Sequence, residues 1–378
     1  MSPVRLDELS TPALVIDEDR MARNIGRMRR RLTDLGVGFR PHVKTAKSIE
    51  IGRRLMPTPR GPITVSTLKE AEQFFAHGVT DVLYAVGIEP GKLAHVADLR
   101  ARGCDLTVIL DSVEAAADLS SFGTGRRCEI PALIEIDSDD HRGGVKPESG
   151  ALLGVAAALK TGARIRGVMT HAGASYDCRS VEAITAMAEQ ERAAVARAAE
   201  RLRAAGHDAT IVSVGSTPTA TFARDLTGVT EVRAGVFVFQ DLVMAGLGVC
   251  PVDDIALSVL VSVIGQQREK GWIVTDGGWM AVSRDRGTAG QAVDQGYGLV
   301  RDANGRLIES LRMHGANQEH GLISRRDGDS LDWDAFRIGT RLRIVPNHAC
   351  ATAAQPAEYF VVGGSREIVA RWERFGGW

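Results

Sequence analysis

The stretch "VPNHACATAAQ" sets His348 and Cys350 two positions apart, a spacing that on a strand points both side chains to one face. An imidazole nitrogen and a thiolate sulfur are preferred ligands of zinc. A structural zinc takes four protein ligands, whereas a catalytic one keeps positions open for water or substrate, so an isolated pair fits catalysis better. The plainer alternative is a core cysteine beside a hydrogen-bonded histidine. Upstream, "GANQEHG" gathers Gln318, Glu319 and His320, polar groups able to reach a metal-bound water or a substrate, with His320 the candidate catalytic member.

A second chemistry belongs to Lys44, in "GFRPHVKTAKSIEIG", three residues past Pro41 at the end of an apolar run. A buried amine at a strand end must be neutralised, paired or used covalently, and a lysine of lowered pKa forms a Schiff base with a carbonyl. Lys47 reads instead as a solvated charge on the following helix. If the carbonyl partner carries a phosphate, it needs an anion cradle. Gly215, Ser216 and Thr217 in "VGSTPTA" and Gly235 and Val236 in "VRAGVFVF" supply small, donor-rich turns, although each alone is also ordinary turn chemistry. Arg142, in "EIDSDDHRGGV", suits a phenolate or carboxylate oxygen. In "MTHAGASYD", His171 and Tyr176 are further cofactor candidates, Tyr176 as a donor to phosphate or substrate.

The elements that must position these residues follow from period. Apolar runs of strand length recur at 38–44, 63–67, 81–86, 106–111, 132–137, 165–171, 210–215 and 231–235. Helical patterns span 17–36, 67–78 and 181–206, the last closed by Gly206. Alternation of this kind predicts an α/β chain with a (β/α)8 barrel over 15–248. Catalytic groups of such barrels sit at the C-terminal strand ends, which places Lys44 after the first strand and the two small-residue turns after the seventh and eighth. Past residue 250 come short strand-like runs joined by Gly, Asp and Asn turns, so 249–378 reads as an all-β domain with the metal pair, joined by 1–14; "TPALVID" is a strand able to pair into it.

Composition excludes several classes. The 378 residues carry 46 basic and 47 acidic side chains, a net charge of −1, so nothing global attracts nucleic acid or anionic lipid. No stretch of about 18 apolar residues and no basic-then-apolar leader occurs, which predicts a cytoplasmic protein. Five widely spaced cysteines without a CxxC pair argue against a disulfide framework, and four of them read as small core residues.

Taken in order, "TPALVID", "RPHVKTAK", "HAGASY", "VGSTPT", "EVRAG", "DGG", "QEHG" and "VPNHAC" resemble the fold-type III pyridoxal phosphate enzymes, whose barrel is that of alanine racemase, and within them the subgroup of D-serine dehydratase and D-threonine aldolase. The resemblance implies that Lys44 carries pyridoxal 5'-phosphate, that "GSTPT" and "AG" hold its phosphate, and that the chain forms a homodimer. Dehydratases of the subgroup have His-x-Cys, which binds zinc, where the aldolases show His-x-Asp, so Cys350 points to a dehydratase; manganese or another divalent ion is the alternative metal. The segment from "DGGWMAVSRDRG" to "GANQEHG" resembles members acting on 3-hydroxyaspartate. The implied activity is an ammonia-lyase acting on a D-3-hydroxy amino acid, either D-threo-3-hydroxyaspartate, giving oxaloacetate and ammonia, or D-serine, giving pyruvate and ammonia. Arg284, Arg286 and His320 are the unranked candidates for a substrate β-carboxylate. The same groups also support an aldolase that yields glycine and an aldehyde. A racemase needs a second base and no metal. A non-catalytic pyridoxal phosphate-binding protein of this fold tends to be a barrel alone.

Overall fold

A computed structural model describes residues 4–378 and divides the chain into two compact units, Met28–Gly235 with Phe375–Trp378, and the residues up to Arg27 with Val236–Arg374. Residues 15–27, 236–248 and 375–378 thus cluster on the opposite sides from those assigned by composition and period alone.

The first strand, β1 (Ala13–Asp17), lies outside the barrel unit. The barrel strands are β2 (Gly38–Phe39), β3 (Ile63–Val65), β4 (Asp81–Gly87), β5 (Asp105–Leu110), β6 (Ile130–Glu135), β7 (Ala163–Met169), β8 (Ile211–Val214) and β9 (Glu231–Val232). They pair in parallel in the order β2-β9-β8-β7-β6-β5-β4-β3, and a parallel bridge between His42 and Thr64 closes the remaining seam. All eight expected strands are present. Their apolar runs are buried because helices cover the outside; every residue of β6 is buried. The longest helix, Val181–Ala204, starts where Ser180 accepts the Ala183 amide and stops before Gly206, whose φ of 84° supplies the left-handed turn.

The strand expected over 38–44 shrinks most, although those expected over 63–67 and 231–235 are shorter too. Pro41 has no N–H for the ladder, so regular pairing ends at Phe39 and the chain continues through the isolated His42 bridge into a turn. The barrel interior is polar at this level. Arg40 is buried and binds both oxygens of Glu231 at 2.9 Å and Asp81 at 2.6 Å, and Ser213 donates to Glu231 at 2.8 Å.

The second unit holds β10 (Leu257–Gln267), β11 (Trp272–Thr275), β12 (Gly298–Asp302), β13 (Leu307–Ala316), β14 (Gly321–Arg325), β15 (Arg341–Pro346), β16 (Glu358–Val362) and β17 (Ile368–Glu373). The sheet runs β11-β14-β13-β12-β15-β10-β1-β16-β17, and a further β11–β10 pairing closes six of the strands into an antiparallel ring. β1, from "TPALVID", pairs antiparallel with β10 and parallel with β16. Among the described residues no helix is long and apolar enough to cross a membrane. Of the four cysteines expected in the core, Cys104 and Cys250 are buried, and burial pushes both thiols up to about 12; Cys128 and Cys178 are only half-buried.

Candidate active site

Lys44 sits in the turn that follows the His42 bridge, at the C-terminal mouth of β2, and its side chain is exposed rather than buried as expected for a strand-end amine. Its backbone amide donates to His42 Nδ1 at 3.5 Å. His42 Nε2 lies 3.4 Å from Ser66 Oγ, and burial, aided by the Lys44 charge, holds the imidazole pKa well below its ordinary value. His42 was not singled out from sequence, although it lies two residues before Lys44 in the same motif.

Lys47 departs furthest from expectation. The helix begins only at Ile49, Lys47 has φ 45°, and its amine pairs at 3.2 Å with Glu70, whose side chain is 1 % exposed. Its carbonyl accepts the Phe375 amide at 3.0 Å, and the Phe375 ring meets Phe74 edge-on at 5.4 Å. Lys47 is a structural cation, not a helix-surface charge.

The turns after β7 and β8 interlock. His171 Nδ1 lies 2.8 Å from the Gly215 carbonyl, which can only accept, so the ring proton is on Nδ1 and Nε2 keeps its lone pair. Burial depresses the His171 pKa to about 3, with the Gly215 bond opposing and Lys44 and Arg142 adding to the effect. Tyr176 closes the short turn Gly173–Tyr176, its ring centroid 6.3 Å from that of His171. Ser175 and Ser216 share a buried 2.9 Å hydrogen bond. Ser216 caps the helix Thr217–Phe222 and forms a reciprocal capping box with Thr219, so its hydroxyl and amide are engaged internally. Gly215 has φ 145°, and a Cβ there would lie 1.8 Å from the Arg233 carbonyl oxygen, so this glycine serves the approach of β8 to the chain following β9. A Cβ at Gly235 would lie 2.7 Å from the His42 carbonyl oxygen. Val236, the next residue, is buried and opens the short turn Val236–Val238 in the other unit. Arg142 is exposed and pairs with Glu135 at 3.1 Å.

In the β-rich unit the candidate metal pair, His348 and Cys350, is not on a strand. β15 stops at Pro346, His348 is the N-cap of the helix Ala349–Ala353, and Cys350 lies in its first turn. The helical turn brings the pair together, and Cys350 hydrogen-bonds the His348 ring. Asp285 Oδ2 lies 2.6 Å from His348 Nδ1, which leaves Nε2 as the second ring nitrogen. Burial opposes charge on this imidazole, but Asp285 and Cys350 outweigh it and push its pKa up to about 11. Buried Asp241 accepts the amides of Ala349 and Met244, both at 2.9 Å, and so fixes the backbone between His348 and Cys350. Among the described residues no three His, Cys, Asp or Glu side chains are grouped to hold one ion.

His320 is on the turn between β13 and β14, exposed, with no side-chain hydrogen bond or ion pair among the described residues. The reason for the "DGG" and "QEHG" motifs is packing: a Cβ at Gly278 would lie 2.2 Å from the Asn317 carbonyl oxygen, and the Trp279 and Met280 amides donate to Asn317 and Gln318. Arg286 is taken up by Asp294 at 2.7 Å and stacks on Tyr297. Arg284 stacks on Trp279 at 5.0 Å and has no carboxylate partner among the described residues.

These donors fit the groups implied. Lys44 offers an exposed amine beside a neutral imidazole and small-residue turns, as a phosphate-bearing aldehyde requires. One thiolate and one imidazole, the latter anchored through its other nitrogen by a carboxylate, suit a zinc-like ion with open positions.

The alanine racemase N-terminal domain family matches residues 16–242 and the serine dehydratase domain family matches 256–362. The chain therefore belongs to the alanine racemase-like, fold-type III family of pyridoxal phosphate enzymes. Within it, the chain is 53 % identical over 374 residues to D-threo-3-hydroxyaspartate dehydratase of Delftia sp. strain HT23, covering 98 % of each chain; the solved structure of that enzyme superposes with a TM-score of 0.97 over 99 % of this chain and 100 % of that one. A cysteine-to-alanine variant of that dehydratase has been solved in the metal-free form. D-serine dehydratase of Dictyostelium discoideum is 29 % identical, covering 96 % of each chain. D-threonine aldolase of Filomicrobium marinum is 26 % identical with a TM-score of 0.82, covering 98 % of this chain and 96 % of the other.

Proposed function

We propose that the protein is a pyridoxal phosphate- and zinc-dependent dehydratase of a D-3-hydroxy amino acid, with D-threo-3-hydroxyaspartate as substrate and D-serine as the alternative, acting as a cytoplasmic homodimer. The observation that carries the reading is the hydrogen-bonded His348–Cys350 pair with Asp285 on the far ring nitrogen. Pyridoxal phosphate, bound through Lys44, supplies an electron sink for the Cα–H bond, and zinc on His348 and Cys350 supplies Lewis acidity to the β-hydroxyl.

The chain's own groups do the rest. The Lys44 amine, displaced when substrate binds, takes the α-proton as general base. Gly215, Ser216, Thr217, Gly235 and Val236 shape the phosphate turns, while His171 and Tyr176 line the cofactor and Arg142 holds its phenolate oxygen or a carboxylate. His320, exposed and without a side-chain partner among the described residues, delivers the proton that leaves with the hydroxyl as water. Arg284, whose guanidinium has no carboxylate partner among the described residues, receives the β-carboxylate of hydroxyaspartate. Loss of water and hydrolysis of the resulting imine give oxaloacetate and ammonia.

The test is to incubate the purified protein with D-serine, D-threonine and D-threo-3-hydroxyaspartate and analyse the products. Keto acid with ammonia is expected; glycine with an aldehyde would replace this reading by the aldolase one.

A further inference from the structure

One buried carboxylate has no part in the chemistry above. Glu191 lies within the helix Val181–Ala204 and is 2 % exposed. Its Oε1 accepts the Ala172 amide at 3.0 Å and the Gly215 amide at 2.9 Å, and the Thr219 side chain hydrogen-bonds it as well. Ala172 follows His171, and Gly215 precedes Ser216. A single oxygen thus ties the turn after β7 to the turn after β8, and the His171 bond to the Gly215 carbonyl runs beside it.

A helix packed on a barrel ordinarily buries apolar residues at such a position, because desolvating a carboxylate is costly. Burial does raise the Glu191 pKa, with its hydrogen bonds and the Arg233 charge opposing. The cost is offset by satisfying two buried amides that no strand partner reaches. The Gly215 amide is also withdrawn from any ligand.

We propose that Glu191 is a positioning residue that holds the turns after β7 and β8 in the arrangement that binds the cofactor's phosphate. The inference rests on the pyridoxal phosphate reading. It predicts a selective defect: without the carboxylate the phosphate subsite loosens, while Schiff-base formation at Lys44, on a different turn, is untouched.

The experiment titrates the cofactor-stripped full chain with pyridoxal phosphate and, separately, with pyridoxal, which lacks the phosphate, following visible absorbance. Glu191→Ala should bind pyridoxal phosphate roughly tenfold or more weakly and pyridoxal as the wild type does. Glu191→Gln, which keeps a carbonyl acceptor, should restore most of the phosphate-dependent affinity. If Glu191→Ala gives no folded protein by circular dichroism, Glu191→Asp, which retracts the oxygen by one methylene, is read by the same criteria. Unchanged pyridoxal phosphate affinity, or equal loss for both ligands, overturns the proposal. A wild-type chain that binds neither aldehyde overturns the cofactor reading and this inference with it.

Discussion

Asp285 and His348 are joined by a 2.6 Å hydrogen bond from the ring Nδ1–H to the carboxylate, on the imidazole that also bonds Cys350. Such a carboxylate fixes the tautomer of a metal-binding histidine and raises its basicity. Asp285→Asn should weaken zinc affinity by about 10- to 100-fold, measured by calorimetric titration of metal-stripped protein. Unchanged affinity would mean that the pair does not act as a carboxylate–histidine–metal unit.

The two lysines of "RPHVKTAK" should separate cleanly. Lys44→Ala should lose the visible absorbance of lysine-bound cofactor with little change in stability. Lys47→Ala should keep the absorbance but strand buried Glu70, at a cost of roughly 3 kcal/mol, partly recovered in the Lys47→Ala, Glu70→Gln double variant. Denaturant midpoints of the three variants decide it; the reverse assignment of absorbance and stability would refute the barrel register.

His171 makes stability depend on pH in a definite direction. Its folded pKa is about 3, against roughly 6.5 for an unfolded imidazole. Above the unfolded value neither state binds the proton and the contribution is complete. As pH falls from there towards 3, the unfolded chain alone is protonated, so stability declines by about 1.4 kcal/mol per pH unit. In the apoprotein, Tm should fall more steeply between pH 6.5 and 4.5 for wild type than for His171→Gln; parallel profiles would show that the imidazole is not held neutral.

Gly235 should not accept a side chain. A Cβ there lies 2.7 Å from the His42 carbonyl oxygen, and main chain cannot yield as a flexible side chain would. Gly235→Ala should destabilise the apoprotein by about 1–3 kcal/mol and weaken pyridoxal phosphate binding, followed by thermal melts and absorbance titration. Normal values in both assays would show that the turn relaxes freely.

His320→Ala removes an exposed imidazole with no side-chain hydrogen bond or ion pair among the described residues. Tm and bound metal should remain at wild-type levels while kcat falls roughly 100-fold or more, the usual loss for a proton-transfer group. Loss of metal from this variant would place the imidazole among the ligands; unchanged kcat would remove its catalytic role.

Much of the barrel was legible because parallel strands buried on both faces read as continuous apolar runs, and all eight were found. Strand length near Pro41 was not legible, since the effect of the missing N–H depends on which strand lies alongside. The His348–Cys350 pair was found for the wrong geometric reason. An i, i+2 spacing joins side chains on a strand, but here capping and the first helical turn do so. Lys47 and Glu191 were missed because their partners, Glu70 and the amides of Ala172 and Gly215, are distant in sequence. No local periodicity marks a buried ion pair or a carboxylate that binds main chain.

The interior place of β1 in the nine-stranded sheet, between β10 and β16, bears on how the protein is made. During vectorial synthesis β1 leaves the ribosome long before β10 and β16, its neighbours on either side. At about 5–20 residues per second, its five buried residues wait tens of seconds for partners, while the barrel segments emerge and complete their sheet. The nascent chain must therefore shelter an unpaired apolar strand until most of the polypeptide has followed it.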